Sequence, residues 1–538
     1  MDDDAKVVVF GLDGATWDVL MPWVRQGMLP TLKKLIGGGV HGTLETTIPP
    51  VTGSAWASFA TGKNPGKHGC YNFILPKKSL NAMKPITSRD IKGETFYELL
   101  DNNKKKCILI NLPVSYPPRI GGTVITSLMT PGDDFIFPPG LADEIPELRE
   151  YRIIPDTSLF LDDKEAQYVN DIRGLEKNRF ICAKKLYRRE WDFFFMLFSG
   201  TDWVQHQMYD KLISEKSGDE SHSMRFYQEI DEYIGWFVDN AAEKTNILLM
   251  SDHGFRAYDK AFFVNSWLKD EGYLRLEPRT KQKIPEHRFS ADQGGKRHKK
   301  IDIGLPIFLL NNLKILSFLS AGYNRVKAIL PFEIHLKGIQ PNLSKTTAFN
   351  ASYDIVGGIY INDENRFVDG IVKAENYDEL RCGIMDKLKG LRNPKTGEST
   401  IKRIYKKEDI YRGEQAHLAP DVIFTLSDEN MCVSASLYSD KAFDEIKSNT
   451  HSLNGIFLAY GQDIIKGADI NDAKIIDLAP TLLHMFGMPI PGDMDGRVLK
   501  SMFKQGSKLH DEPTICQKDD ERERIRQSIR KIKSFDIS

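Results

Sequence analysis

Four short, almost unbroken apolar runs constrain this 538-residue chain more than any other feature. They are Lys6-Val-Val-Val-Phe-Gly-Leu12, Cys107-Ile-Leu-Ile-Asn-Leu112, Asp192-Phe-Phe-Phe-Met-Leu-Phe198 and Thr245-Asn-Ile-Leu-Leu-Met250. They read as strands buried on both faces, as in a parallel sheet covered by helices. Helical spacing in Ala166 to Arg189 and in Met224 to Lys244 supplies the covering layer. The chain therefore alternates as an α/β protein.

The length predicts one large domain with insertions, or two to three domains. Between Glu277 and Leu343 the character changes. A basic stretch from Lys281 to Lys300 precedes an amphipathic segment from Leu309 to Leu330. Strand-like sequence resumes at Ser352 to Asn362, Asp421 to Leu426 and Gly455 to Tyr460. The reading is an α/β core in two parts, 1–276 and 344–503, around an inserted cap at 277–343. A charged tail, 504–538, ends in a surface helix over Asp519 to Lys533. The basic stretch reads as a solvated loop, with a mobile flap as the alternative. The amphipathic segment reads as seating the cap on the core, because Leu309, Leu310, Leu313, Ile315, Leu316 and Leu319 need an internal partner; a membrane interface is the alternative.

Lys+Arg (73) and Asp+Glu (74) nearly cancel, so no bulk charge argues for nucleic acid as a partner. The stretch from Ile303 to Phe332 is interrupted by Asn311, Asn312, Lys314, Asn324, Arg325 and Lys327, which argues against a transmembrane span. The acidic Met-Asp-Asp-Asp start does not fit a signal peptide. Six widely spaced cysteines read as reduced thiols. A cytoplasmic location follows as the expectation. Oligomeric state is left open.

The residues suited to chemistry cluster at the ends of predicted elements. Asp13 follows the first strand between glycines, Gly11 and Gly14 flanking Leu12-Asp13, where open α/β sheets place their ligands. A turn or helix-cap aspartate is the plain alternative. Asp202 and His206, four apart after the third run, share one face if helical, so carboxylate and imidazole can bind one ion. An ordinary surface pair has the same spacing. Asp252 and His253 end the fourth run and offer oxygen and nitrogen to a cation such as Zn²⁺ or Mn²⁺. His451 precedes another strand and, taken singly, would be a structural histidine. Thr52 opens a predicted helix through Trp56 to Phe59 as its N-cap, where the helix terminus attracts phosphate. His41 and His68 stand beside glycines and read as structural. Together, three aspartates, three histidines and a hydroxyl form the kit of a two-metal phosphoryl-transfer site.

Those residues sit in motifs that resemble the alkaline phosphatase superfamily, in particular its type I phosphodiesterase/nucleotide pyrophosphatase branch and the prokaryotic phosphohydrolase or phosphomutase group. The motifs are Phe10-Gly-Leu-Asp-Gly14, Pro49-Pro-Val-Thr52, Ala60 to Gly69, Asn111 to Pro118, Ser251-Asp-His-Gly254 and Asp477 to Leu483. The resemblance implies an alkaline-phosphatase-like three-layer α/β/α sandwich around a mostly parallel sheet. It implies two divalent cations, zinc ahead of manganese. Asp202, His206 and His451 would hold the first, and Asp13, Asp252, His253 and Thr52 the second. Thr52 would be the nucleophile, forming a phosphothreonine that water hydrolyses.

The implied activity is hydrolysis of phosphodiester or pyrophosphate bonds in a small phosphorylated substrate. A phosphomutase or phosphotransferase, or a non-catalytic binding protein on the same fold, is the alternative. Where the nucleotide pyrophosphatases carry a phosphate-holding asparagine, alignment on Thr52 places Phe73, with Asn72 one step earlier. The sulfatase pattern is absent after Pro50, and no arginine follows Thr52 closely, which turns the reading towards diesters and pyrophosphates.

Overall fold

The computed structural model describes residues 5–76, 83–161, 164–214, 222–278, 339–351, 355–437 and 439–517. Its centre is a nine-stranded sheet. In spatial order the strands are Ala468–Lys474, Val40–Glu45, Asn454–Tyr460, Thr245–Met250, Lys6–Leu12, Phe193–Phe198, Cys107–Leu112, Thr123–Thr126 and Ile136–Phe137. The four apolar runs are its four adjacent middle strands, all parallel. Among the described residues, antiparallel pairings within this sheet occur only where Asn454–Tyr460 joins its two neighbours and at the Ile136–Phe137 edge.

Alternation explains why these strands are apolar throughout. Val8, Phe10, Phe194, Met196 and Phe198 pack into a core on one face, with the helices Trp17–Arg25, Glu165–Tyr187 and His222–Asp239. Val7, Val9, Phe193, Phe195 and Leu197 enter a second core on the other face, with Thr52–Thr61, Phe96–Asn102 and Leu478–Met485. Each fully buried Phe or Leu contributes roughly 1.5–3 kcal/mol to this layering. The result is the expected helix–sheet–helix sandwich.

A second body grows from the sheet's ligand-bearing edge. Gly254–Phe263 pairs antiparallel with Phe443–Ser452 and parallel with Met431–Ser434 in a three-stranded sheet. Beside it, Ala348–Asn350, Val356–Ile361, Val422–Leu426 and Ile401–Lys406 form a four-stranded antiparallel sheet, packed with helix Ala374–Gly390 over its own core. Of the three places where strand-like sequence resumes, only Asn454–Tyr460 returns to the central sheet. The strands near 352–362 and 421–426 pair with each other instead. Both are buried on both faces, and such a run reports burial without reporting which sheet it joins.

The base of the 277–343 insertion is a two-stranded ribbon, Leu276–Pro278 against Ile339–Pro341. The basic stretch, the amphipathic segment and the tail helix over 519–533 lie outside the described residues. No helix among the described residues is long and apolar enough to cross a membrane. All six cysteines are free thiols, with Cys382 and Cys516 exposed.

Candidate active site

Strands Lys6–Leu12 and Thr245–Met250 are neighbours and run the same way, so Asp13 and Asp252 emerge side by side at one sheet edge. The Asp13 N–H donates to Phe198 O at 3.1 Å, which ties this turn to the strand preceding Asp202. Gly14 takes φ +65° and its N–H donates to Asp252 Oδ1 at 3.1 Å. A Cβ there would lie 3.1 Å from His253 Cε1 and 3.2 Å from Asp202 Oδ1, so glycine serves both backbone and site.

Asp202 and His206 lie one turn apart on helix Gly200–Ser214, with His206 Nε2 3.3 Å from Asp202 Oδ1. His451 arrives from strand Phe443–Ser452, opposite Phe255, and its ring stacks on His253 with centroids 3.6 Å apart. His451 Nε2 is 3.5 Å from Asp202 Oδ1. His253 Nε2 is 3.3 Å from Asp252 Oδ2 and 3.6 Å from Asp13 Oδ1.

Two candidate metal-binding groups result, with ligand atoms within 4.8 Å of one another: Asp13, Asp252 and His253, and Asp202, His253 and His451. His253 belongs to both; His206, expected as a ligand with Asp202 and His451, is in neither and lies beside the second, its Nε2 3.3 Å from Asp202 Oδ1. The resemblance assigns His253 to one group alone; the geometry sets it between the two.

Each imidazole is oriented by a backbone carbonyl. His206 Nδ1 faces Asn449 O at 3.0 Å, His253 Nδ1 faces Gly254 O at 3.0 Å and His451 Nδ1 faces Pro50 O at 2.7 Å. A carbonyl only accepts, so Nδ1 carries the proton and the neutral ring turns an Nε2 lone pair towards the carboxylates. Asp202 Oδ1 and Asp252 Oδ2 are buried without an aligned hydrogen bond. Acceptor facing acceptor in a buried pocket suits a cation, and the oxygen–nitrogen donor set suits zinc or manganese.

The electrostatics are uneven. Burial pushes the Asp252 carboxyl up to about 6, with the Gly14 N–H opposing and the Asp202 carboxylate adding to the rise. Burial also works against ionised Asp202; positive charge on His206 and His451, carried only when those rings are protonated, outweighs it and holds that carboxyl well below its ordinary range.

Thr52 is the first residue of helix Thr52–Thr61; Val51 takes the cap position. The expected N-cap is thus displaced by one residue, and the hydroxyl is released from capping. It faces His253 Nε2 at 3.2 Å instead. The Phe73 ring packs against Gly53, where a Cβ would come within 3.0 Å of it. Asn72 Oδ1 accepts from the Phe73 N–H at 2.7 Å, so the asparagine oxygen is turned to its own turn. His68 is structural: fully buried, it bonds Ser58 Oγ at 2.8 Å and accepts from the Cys70 N–H. His41 pairs with Asp469 across the sheet edge.

All seven residues singled out in the sequence therefore meet at one end of the central sheet. What sequence reasoning missed is their support. The carbonyls of Pro50, Asn449 and Gly254 orient the histidines, and a backbone oxygen has no signature in sequence.

An alkaline-phosphatase-like α/β fold with candidate metal-binding groups at its strand ends defines the class. Residues 7–452 match the family described as type I phosphodiesterase/nucleotide pyrophosphatase, a span that contains all seven site residues. The chain belongs to that family, whose members are hydrolases acting on phosphoester bonds. Among solved structures it is similar to phosphonoacetate hydrolase from Sinorhizobium meliloti 1021, in complexes with phosphonoformate and with phosphonoacetate. That likeness has a TM-score of 0.51 at 13% identity, covering 88% of this chain and 94% of the other. Murine ectonucleotide pyrophosphatase/phosphodiesterase 5 matches with a TM-score of 0.47 at 14% identity, covering 93% of this chain and 100% of that one. No curated protein matches the sequence.

Proposed function

We propose that this chain is a metal-dependent phosphohydrolase that cleaves phosphodiester or pyrophosphate bonds through Thr52. The observation that carries the reading is the Thr52 hydroxyl, 3.2 Å from His253 Nε2 at a helix N-terminus. Asp202, His206 and His451 would hold one divalent cation, and Asp13, Asp252, His253 and Thr52 a second, with His253 placed between the two groups. Bound there, zinc or manganese would lower the pKa of the hydroxyl and offset charge on the leaving oxygen.

The chain's own residues do the rest. His253 Nε2, the atom that would bind the cation, lies against the Thr52 hydroxyl, so the hydroxyl's proton leaves to solvent, and the N–H groups that open helix Thr52–Thr61 meet an incoming phosphate. Thr52 Oγ attacks phosphorus, the bond to the leaving oxygen breaks, and water then cleaves the phosphothreonine ester. No arginine follows Thr52 closely to clamp a terminal phosphate, which favours diesters and pyrophosphates. Six free thiols support a reducing, cytoplasmic setting.

The test is hydrolysis of bis-p-nitrophenyl phosphate with Zn²⁺ or Mn²⁺. Thr52→Ala is expected to lower kcat on the order of 10⁴-fold or more. Turnover unchanged in this variant would overturn the assignment.

A further inference from the structure

The turn Asp13-Gly14-Ala15 is the junction between the two ligand groups, and its three successive carbonyl oxygens are each gripped by a different side chain. Thr201 Oγ1 donates to Asp13 O at 2.6 Å, a proton it shares with Phe198 O at 3.1 Å. Gln205 Nε2 donates to Gly14 O at 2.8 Å and to Thr201 O at 3.2 Å. Ser251 Oγ donates to Ala15 O at 2.8 Å and accepts from the Ile456 N–H at 2.8 Å. All three side chains are fully buried. Both carbonyls before Gln205 only accept, which fixes which end of its amide faces them.

The sequence positions of these donors carry the argument. Thr201 immediately precedes Asp202, Gln205 precedes His206, and Ser251 precedes Asp252. Both elements that bring an aspartate towards the Asp13 turn, the Asp202/His206 helix and the Asp252/His253 turn, also bring, one residue before Asp202, His206 and Asp252, a donor that bonds the backbone of that turn. The Ile456 contact extends the grip to the strand that follows His451. Strand-end carbonyls must be paired when buried, but water or a local turn would serve that need without fixing any distance between elements. Side-chain bonds from the ligand-bearing elements do fix it, and ligand sets need placement to about 0.5 Å.

We propose that Thr201, Gln205 and Ser251 are positioning residues. They set the spacing of the two ligand groups by clamping the Asp13–Ala15 turn to the Asp202/His206 helix and the Asp252/His253 turn. The inference rests on the two-cation reading above.

The experiment is Mn²⁺ titration of the metal-depleted full-length chain, with electron paramagnetic resonance of the loaded protein to read magnetic coupling between neighbouring ions. Gln205→Leu and Thr201→Val are expected to bind Mn²⁺ about 10–100-fold more weakly and to lose the coupled signal. Thr201→Ser, which keeps the hydroxyl, is expected to retain wild-type affinity and spectrum. Circular dichroism of the metal-free variants checks the fold; should Gln205→Leu not fold, the Thr201→Val and Thr201→Ser pair carries the test. Wild-type affinity and coupling in Gln205→Leu and Thr201→Val would overturn the clamp, even with a lowered Tm. A wild-type chain binding fewer than two Mn²⁺ would overturn the two-cation reading and the clamp with it.

Discussion

The two candidate metal-binding groups share His253 but are built differently. Asp13, Asp252 and His253 hang from adjacent parallel strands of the central sheet, and their side chains are at most 4% exposed. Asp202 and His206 sit on a helix, with side chains 14% and 18% exposed, and are completed by His451 from the second body. One group is set by strand register inside a continuous core. The other requires a helix, a strand of a different sheet and the clamps between them to agree. A site assembled from separate elements has more ways to open than one carried by neighbouring strands, so the groups should differ in how they tolerate damage.

The sharpest way to break this contrast is to remove one ligand from each group. Asp252→Asn is expected to lower turnover of a diester on the order of 10³-fold, about 4 kcal/mol of transition-state stabilisation, with no recovery in excess metal. His206→Asn should cost about 10–100-fold and regain part of it as Zn²⁺ or Mn²⁺ is raised. Kinetics across a metal series decide it, and equal losses with equal recovery would erase the distinction.

A change at the junction should strike both groups at once. Gly14→Ala places a residue at φ +65° and puts its Cβ against His253 and Asp202. The backbone cost is roughly 1–2 kcal/mol, read by denaturant unfolding of the metal-free chain. Both Mn²⁺ binding steps should weaken together; a change in one step alone would show that the groups are mechanically separate.

The smallest effect comes from outside both groups and serves as their control. Burial, aided by Lys63, holds buried His68 down to about 3 from an ordinary 6.5. The unfolded chain therefore takes up this proton first, and stability present above pH 6.5 is lost as pH falls towards 3. His68→Gln should flatten that acid-side slope by up to about 1.4 kcal/mol per pH unit while leaving metal affinity in place. Unfolding curves measured between about pH 6.5 and 4 check this, and an unchanged slope would mean another group carries it.

Much of this architecture is legible in the residue order. The middle strands fall within one residue of the apolar runs, because a strand buried on both faces has no polar position to blur its limits. The strand-end placement of Asp13, Asp202 and Asp252 follows from the same runs. Thr52 shows the limit. Its helix is readable, but the cap belongs to Val51, and that single step frees the hydroxyl for His253. Two apolar strands are readable as buried but not as members of a separate sheet, since pairing depends on partners and not on composition.

The chain's order of residues thus determined the sheet's interior and the chemical types at its edge, because local alternation and turn chemistry act over a few residues. Folding in three dimensions alone decided that His253 lies between two groups, that backbone carbonyls orient every imidazole of the site, and that Thr201, Gln205 and Ser251 grip one turn. Those contacts join residues up to 401 positions apart and mostly end on backbone oxygens, which every residue carries alike.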